Sequence, residues 1–426
     1  MPSLRLMDDR RDNDVVLYGA TGFVGKLTAR YLAAHAPEGT RVSLAGRNRA
    51  RLEAVRSDLG AAAAGWPLIV AGSSDRSAMA DLAAATTVVA TTVGPYARYG
   101  HDLAEACADA GTHYADLTGE VLFVRDCIDR LHDRAVTTGA RIVNSCGYDS
   151  IPSDLGVMLV HQRAAEDGAG GLADTVLKAS LKGGFSGGTI DSMRAQMEAM
   201  AKDRGRARIV TDPYALSPDR SREPDLGPQP DTFPPRRDKM LGEWTAPFVM
   251  ASYNTRIVRR SNALTGWSYG RHLAYREVMG FGSKPGGAVA AGALTGGLAA
   301  IVAAMRFGPS RDALGRLLPK PGEGPSQKTM DSGHFRSDII AATASGRRYH
   351  GVVAADGDPG YKATAVMLGE SALALAFDGD RLPDRAGVLT PATGIGMALV
   401  GRLRSAGFLM TAGAADMTAG VAEDRP

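Results

Sequence analysis

The chain has little of what marks secreted, metal-binding or nucleic-acid-binding proteins. It contains three cysteines, Cys107, Cys127 and Cys146, whose odd number and wide spacing argue against a disulfide framework and a CxxC zinc site. None of its eight histidines forms an HxxxH pair. The formal net charge is only +3, because 49 basic residues are spread among 46 acidic ones rather than gathered in a stripe. We therefore expect no bound metal ion and no nucleic-acid partner.

A hydrophobic leader is also absent from the start of the sequence. The first residues, MPSLRLMDDRRDND, are too charged for a secretory signal peptide. Together with the few cysteines, this predicts a cytoplasmic protein. At 426 residues the chain exceeds the size at which one core divides into two, so we expect two domains.

Short apolar segments alternate with helical ones in the first part of the chain. The strand-like segments are 15–18, 42–45, 68–71, 86–93 and 141–146. Between two of them, Leu122–Gly139 has apolar residues at three- and four-residue spacing, as in an amphipathic helix. Strands that alternate with helices predict a parallel sheet covered on both faces. The expected fold class is α/β, with a Rossmann doubly wound parallel sheet over residues 1–155.

The pattern changes after residue 155 and predicts a second, mixed α+β domain over 156–386. Residues 174–182, 248–258 and 347–354 are strand-like, whereas 189–201, 362–377 and 393–406 are helix-like. A proline-rich excursion occupies 203–240 and an apolar segment occupies 286–305. We expect residues 387–412 to form a helix that returns to the first domain and 413–426 to be a flexible tail.

A glycine-spaced turn lies between the first strand and the first helix. Gly19, Gly22 and Gly25 are spaced as GxxGxxG between an apolar strand and an amphipathic helix, the context of a dinucleotide site. The first glycine would permit a tight turn, the second a close approach to a pyrophosphate, and the third close helix packing. An ordinary βα turn is the alternative. The residues expected to hold the cofactor here are Gly19, Ala20, Thr21, Gly22, Phe23, Val24 and Gly25.

The residue that follows the second strand favours NADP(H) over NAD(H). Arg47 occupies the position where an NAD-binding chain usually has an acid, and an arginine attracts the ribose 2′-phosphate. Alternatively, Arg47 is part of a solvated helix start. Asp75 follows the third strand and is a candidate for the adenine amino group, or else a helix cap.

Two further blocks extend the pattern into a family resemblance. The segments TTVGPYARYGHDLAEACADAGTHYADLTGE at 91–120 and NSCGYDSIPSDLG at 144–156 resemble saccharopine-dehydrogenase-like oxidoreductases. The likeness is nearest to the mycobacterial branch of trans-acting enoyl reductases, and it continues through GGFSGGT, GRHLAYREVMGFG and GVLTPATGIGMALVGRLRSAGF. It implies a Rossmann domain in which the turn from Val93 to Tyr96 passes under the nicotinamide. It also implies that residues 114–120 follow the next strand and that 146–154 cross the cleft. With these blocks, the cofactor candidates also include Val93, Gly94, Pro95, Thr118, Gly119 and Gly147.

The candidates for proton donation lie in the same blocks. Tyr148, Asp149 and Ser150 form a polar group where ligands bind in open parallel sheets, beyond the carboxyl ends of the strands. We expect Tyr148 to donate a proton or stabilise an enolate, with Ser150 and Tyr96 as the next candidates. Asp149 and Ser150 could instead cap the following helix.

Rival functions leave weaker patterns. A short-chain dehydrogenase would carry Tyr-x-x-x-Lys, and none of the twelve tyrosines has a lysine four residues later. Gly184-Phe185-Ser186-Gly187-Gly188 matches the GxSxG pattern of serine hydrolases, with His272, His334 and His350 as triad partners. A saccharopine-type reaction at a carbon–nitrogen bond and a cofactor-binding protein without turnover are further alternatives.

The apolar segment 286–305 bears on the partners. Its twenty uncharged residues are long enough to span a bilayer, but they are rich in glycine and alanine. The alternatives are a buried or interface helix, an element on a membrane surface, and a true span. The loop 318–335 carries Lys320 and Lys328, which could reach a phosphate-bearing carrier arm or simply be solvated.

The sequence thus predicts an NADP(H)-dependent oxidoreductase with a lipophilic or carrier-bound acyl substrate. The specific expectation is the reduction of a carbon–carbon double bond in a long acyl or polyketide intermediate. Contact with a membrane through 286–305 and a homodimer are further expectations.

Overall fold

A computed structural model describes residues 11–183, 187–231, 233–306 and 324–415. Ser186, the nucleophile of the alternative hydrolase pattern, lies outside these residues, as does Lys320. In chain order, the elements are β1 (Asn13–Tyr18), α1 (Phe23–His35), β2 (Val42–Gly46), α2 (Arg49–Asp58), β3 (Leu68–Val70), α3 (Arg76–Ala84), β4 (Thr86–Thr91), α4 (Tyr96–Tyr99), α5 (His101–Ala110), β5 (His113–Ala115), α6 (Val121–Thr138), β6 (Arg141–Val143), α7 (Ile151–Glu166), β7 (Leu172–Lys182), α8 (Gly187–Lys202), α9 (Arg204–Thr211), β8 (Arg236–Arg237), β9 (Trp244–Pro247), α10 (Ala251–Leu264), β10 (Ala274–Gly280), α11 (Pro285–Arg306), α12 (Gln327–Asp331), β11 (His334–Thr343), β12 (Arg348–Asp356), α13 (Thr364–Phe377), β13 (Gly387–Leu389), α14 (Pro391–Gly394), α15 (Met397–Ser405) and β14 (Leu409–Ala414).

The first sheet has seven parallel strands in the order β13-β6-β5-β4-β1-β2-β3. Successive residues of β1 enter different cores: Val15 and Leu17 belong to one cluster, Val16 and Tyr18 to the other. This alternation arises because successive side chains of a strand point to opposite faces, and here helices cover both faces. The predicted Rossmann doubly wound sheet is confirmed.

The second sheet is mixed, with strand order β14-β12-β11-β7-β10-β9-β8. Strands β7 and β10 run parallel, and the other pairs are antiparallel. Helix α7 lies against this sheet so closely that a methyl group on Gly156 would approach Ile339 Cδ1 to 2.7 Å. A second, mixed α+β domain is therefore present, as predicted.

The strand predicted at 248–258 is wrong, because these residues lead into helix α10. All of 251–263 except Ser252 are buried, so the polar side chains of this helix lie inside the protein together with the apolar ones. Its arginines are buried as well. Arg260 donates to the carbonyls of Leu216 and Val388 at 2.6 Å each, and Arg259 donates to the Tyr275 carbonyl at 2.9 Å. The bond to Leu216 connects the proline-rich excursion to the helix, and the other two connect the helix to β13 and β10.

The C-terminal segment differs from the single helix expected over 387–412. Strand β13 extends the first sheet beside β6, α14 and α15 follow it, and β14 then pairs with β12 in the second sheet. The expected tail at 413–426 therefore begins inside a strand, and 416–426 lie outside the described residues. The domain limits at 155 and 386 stay predictions. The chain passes between the sheets through α7, through the segment before α13, and again after α15.

The apolar segment forms α11, and much of this helix is exposed. It packs against β9, and near its start a methyl group on Gly287 would meet the carbonyl oxygen of Phe281, the residue that follows β10. Farther along, Val289 is 74% and Ile301 is 42% exposed. Among the described residues, no helix is both long enough and apolar enough to cross a membrane.

Candidate active site

A cleft of about 420 Å³ lies at the carboxyl ends of the parallel strands, where the second domain faces the first. Open α/β sheets bind their ligands at this edge. Of the predicted site residues, those that line the cleft are Gly19, Thr21, Gly22, Phe23, Val24, Arg47, Val93, Gly94, Tyr96, Gly119 and Tyr148.

The glycine turn has no room for larger residues. Gly19 has φ +90°, and a Cβ atom there would lie 2.7 Å from Thr92 Oγ1. A Cβ atom on Gly25 would lie 2.2 Å from the Gly19 carbonyl oxygen, so the helix can approach the turn only because residue 25 is glycine. Gly22 caps α1 without a side-chain bond, and the first turn contains no acid. The amide donors of this turn are therefore free of competing carboxylates and suit a pyrophosphate.

Arg47 lies at the edge of the cleft beyond the end of β2, where it is exposed. Among the described residues it has no ion-pair partner. The buried Tyr18 hydroxyl lies nearby: burial raises its pKa, while the Arg47 charge and a hydrogen bond with Ser73 act in the opposite direction. A guanidinium without a carboxylate partner at this position fits a 2′-phosphate.

Other cofactor candidates lie beside the cleft or below its surface. Asp75 caps α3, accepting from the Ala78 amide at 3.1 Å, and does not line the cleft. Ala20 and Pro95 are buried, the latter after a cis peptide bond with Gly94. A Cβ atom on Gly147 would lie 2.7 Å from the Leu117 side chain. Asp75 therefore serves as a helix cap, and Ala20, Gly25, Pro95 and Gly147 support the loops without lining the cleft.

Two buried carboxylates hold the floor of the cleft together. Asp116 accepts from the Ser145 amide and the Asn144 side chain at 2.8 Å, and from the Thr118 amide at 3.1 Å. Its burial raises its pKa to about 6, and these hydrogen bonds work against that rise. The Thr118 hydroxyl in turn accepts from the Glu120 amide at 3.2 Å. The Thr118 side chain therefore stabilises its own loop and does not line the cleft.

Glu120 joins the loop after β4 to helix α8. It accepts from the Tyr96 and Ala97 amides at 2.8 Å each and from the Ser192 hydroxyl at 2.7 Å. One turn farther along α8, Gln196 Oε1 accepts from the Val121 amide at 2.9 Å. Because that amide can only donate, the bond fixes the carboxamide so that its NH₂ group points away from Val121.

The three residues predicted to donate a proton differ in their surroundings. The Tyr96 hydroxyl donates to the Thr91 carbonyl and accepts from the Leu117 amide, both at 3.1 Å, so it is already engaged. The Ser150 hydroxyl donates to Asn254 Oδ1 at 3.1 Å, and Ser150 does not line the cleft. The Tyr148 hydroxyl has no hydrogen-bond partner among the described residues, and its ring contacts Phe335 edge to face at 4.9 Å. Only Tyr148 has a hydroxyl available to a ligand.

Asp149, next to Tyr148, also lines the cleft. Burial raises its pKa to about 7, and the nearby Asp116 carboxylate acts in the same direction. Ser150 occupies the N-cap position of α7, but its side chain makes no capping hydrogen bond to the helix. For Tyr148, burial raises the pKa well above its usual value, with smaller contributions from Glu277 and Asp149. The cleft therefore presents a neutral phenol beside a carboxyl that holds its proton to higher pH than an exposed aspartate.

The walls of the remaining cleft are mostly apolar. Arg47 is the only arginine or lysine among the described residues that line it. The apolar side chains that sequence reasoning did not single out are Leu181, Met193, Phe248, Val249 and Met250. The polar ones that it missed include Ser73, Ser192, Gln196, Ser252, Tyr253 and Thr364. No motif marks these residues, because α8 and the segment after β9 reach the cleft only through the tertiary fold.

Comparisons with known proteins agree with this geometry. Residues 15–143 match the family model described as saccharopine dehydrogenase NADP binding domain. This segment contains the glycine turn and Arg47, and the predicted cofactor, NADP(H), is confirmed. A solved structure of apo saccharopine dehydrogenase (L-Glu forming) from Saccharomyces cerevisiae has a TM-score of 0.52 at 13% identity, covering 94% of this chain and 99% of that one. At this identity, the likeness concerns the fold alone.

Full-length relatives are much more similar. The chain is 48% identical over 412 residues to the trans-acting enoyl reductase of Mycobacterium tuberculosis, covering 94% of this chain and 97% of that protein. It is also 48% identical over 413 residues to the trans-acting enoyl reductase of Mycobacterium ulcerans, covering 95% and 98%. A second M. tuberculosis protein, provisionally given the same name, is 52% identical over 407 residues, covering 93% and 96%.

Replacement of Arg47 tests the cofactor end of the cleft. We expect Arg47→Ala to raise the Kd for NADPH by roughly tenfold to hundredfold, because a hydrogen bond to a charged group contributes about 1.5–3 kcal/mol. The Kd for NADH should change less than about twofold, since NADH lacks the 2′-phosphate. Isothermal titration of both nucleotides measures this. Arg49→Ala is the matched control, because Arg49 is exposed and pairs with Glu53. Equal weakening of both nucleotides would contradict a 2′-phosphate contact.

Proposed function

Since this chain belongs to the family of trans-acting enoyl reductases, we propose that it reduces the carbon–carbon double bond of a lipophilic enoyl thioester with NADPH. It is an NADP-dependent oxidoreductase, as the family model and the full-length relatives show. The proposal adds the substrate class and the roles of residues in the cleft. The acyl chain would arrive attached to a carrier, as the name trans-acting implies for the relatives.

The observation that carries the substrate class is the scarcity of cations in the cleft. An amino-acid substrate of the saccharopine type brings carboxylates, which need arginine or lysine partners in a buried site. The only such residue lining the described cleft is Arg47, at the cofactor end. Around Tyr148, the walls are built from residues such as Phe248, Val249 and Met250. Such walls favour an acyl chain over a dicarboxylate.

The geometry supports different catalytic roles for Tyr148, Gln196 and Asp149, which line the cleft. When bound, NADPH supplies a hydride, which adds to the β-carbon of an enoyl thioester and leaves an enolate at the carbonyl oxygen. The Tyr148 hydroxyl, free of partners among the described residues, can donate a hydrogen bond to that oxygen. The Gln196 NH₂ group, oriented by the Val121 amide, can donate a second. Asp149 can deliver the proton that the α-carbon requires.

The reaction itself is tested with a free thioester. Purified protein and NADPH should convert a trans-decenoyl thioester to the saturated decanoyl thioester, seen as loss of NADPH absorbance and as product by mass spectrometry. Tyr148→Phe should lower kcat by roughly a hundredfold to a thousandfold, because one oxyanion donor contributes about that much. The proposal fails if the wild type binds NADPH but leaves every enoyl thioester intact while turning over an amino acid.

The pH dependence distinguishes Asp149 from its neighbour Ser150. An acid with a pKa of about 7 is protonated below that pH, so kcat/KM should be level at acidic pH and fall tenfold per unit above about 7. Asp149→Asn should abolish this limb and lower the rate roughly a hundredfold or more. Ser150→Ala should keep the wild-type profile, because its hydroxyl points to Asn254. An unchanged profile in Asp149→Asn would assign the limb to another group.

We further propose that α11 rests on a membrane surface and that the enzyme is otherwise cytoplasmic. Its uncharged residues between Lys284 and Arg306 are exposed on several sides, including Val289 and Ile301. A helix dimer would bury one stripe, whereas an interfacial lipid layer can cover a broad apolar surface. The three cysteines are buried and unpaired, which suits a reducing compartment. A homodimer through α11 is the competing proposal.

Vesicle flotation tests this role of α11. Wild-type protein should float with phosphatidylglycerol-containing vesicles, and Val289→Glu with Ile301→Glu should remain at the bottom of the gradient. Reductase activity on the free thioester should stay within about twofold, since these residues do not line the cleft. Absence of flotation, with a dimer in analytical ultracentrifugation that the double variant dissociates, would favour the homodimer instead.

A further inference from the structure

A run of exposed cations begins where the cleft-lining helix α8 ends. Lys202, Arg204, Arg206 and Arg208 lie within seven residues, at the end of α8 and along α9, and all four are exposed. The acidic residue among them, Asp203, caps α9, and its Oδ2 atom forms an ion pair with Arg206 Nε at 3.8 Å. The local charge is therefore strongly positive in a chain whose net charge is only +3. The nearly balanced composition of the chain does not account for this local excess of positive charge.

This patch is close to the opening of the cleft. Ser192, Met193 and Gln196 of α8 line the cleft, and Lys202 follows Gln196 by six residues, about 9 Å along a helix. Tyr99 also lines the cleft and is 40% exposed. Arg98, beside it, pairs with Glu198 of α8 at 3.6 Å. A molecule seated on α8 and α9 would therefore adjoin the cleft.

The same surface includes apolar side chains that can adapt to a partner. Met193, Met197 and Met200 are all partly exposed on α8. Methionine is flexible and polarizable, so it packs against varied protein surfaces. Partly exposed methionines near a group of arginines are typical of protein contacts, because arginine and methionine are both enriched at interfaces. Nucleic acid would use the cations but would leave the methionines without a role.

We propose that the α8–α9 face, defined as the exposed side chains of 193–208, docks an acidic carrier domain that presents the enoyl chain to the cleft. This inference rests on the proposed function, because it concerns how the thioester reaches that site. Charge complementarity selects the partner: the cations require an acidic surface. The tethered chain then needs a docking point at the rim, since its thioester must reach Tyr148 while its carrier stays outside.

Charge reversal separates docking from chemistry. The test variant carries Arg204→Glu, Arg206→Glu and Arg208→Glu. The substrates are a trans-decenoyl chain on an isolated, acidic acyl carrier domain of a polyketide synthase and the same chain as a free short thioester. For the carrier substrate, kcat/KM should fall at least tenfold at low salt, whereas for the free thioester it should stay within twofold. Added salt should lower the wild-type value for the carrier substrate and leave that of the variant nearly unchanged.

A matched control and a binding measurement make the outcome decisive. Arg30→Glu, Arg237→Glu and Arg348→Glu reverse three exposed charges outside this face and should leave both substrates within twofold. Fluorescence anisotropy of the labelled carrier domain, without an acyl chain, should give a Kd raised at least tenfold by the test variant and unchanged by the control. Failure of wild type to reduce either thioester would overturn the proposed function, while the anisotropy result would still decide the docking proposal.

Three results would overturn the docking proposal. Equal loss of activity on both substrates would place the arginines in support of the cleft itself. Unchanged carrier kinetics and unchanged anisotropy in the test variant would remove the partner altogether. Unchanged carrier kinetics with loss of binding to phosphatidylglycerol vesicles would assign the cations to a membrane.

Discussion

The cleft depends on the buried carboxylates of Asp116 and Glu120, which accept hydrogen bonds from the loops at the ends of β4, β5 and β6. Loops beyond parallel strands carry backbone amides that no neighbouring strand pairs, and a buried amide without a partner is costly. Asp116 binds the Ser145 and Thr118 amides, and Glu120 binds the Tyr96 and Ala97 amides. Glu120 also accepts a hydrogen bond from the Ser192 hydroxyl of α8. The carboxylate that binds the loop amides at the base of the cleft therefore also positions the helix that forms one of its walls.

Much of the first domain could be predicted from the sequence, because its information is local. The apolar strands, the amphipathic helix after Glu120 and the glycine turn each appear as contiguous patterns, and Arg47 follows its strand at the expected place. The second domain was harder. The polar side of helix α10 is buried, so that even Arg256, Arg259 and Arg260 lie inside the protein. Strand β13 has only three residues and pairs with β6, which lies far away in the sequence, so no local sequence pattern predicts it.

The candidate site shows the same limit at the scale of single residues. The sequence placed Tyr148, Asp149 and Ser150 at the right edge of the sheet and favoured Tyr148, but it ranked Ser150 next and gave Asp149 no part of its own in proton transfer. Their order depends on where each side chain points: Ser150 bonds inward to Asn254, whereas Tyr148 and Asp149 line the cleft. Gln196 lies outside any motif, and its suitability as a donor follows from a single bond to the Val121 amide.

The return of β13 to the first sheet also affects how the chain can fold during synthesis. Until Gly387–Leu389 leave the ribosome, β6 is an open edge of a parallel sheet whose neighbours are already complete. An open edge of this kind can pair with other chains. The first domain must therefore persist unfinished while the whole second sheet except β14 is made. The β6 edge therefore stays unpaired until almost the whole chain has been made.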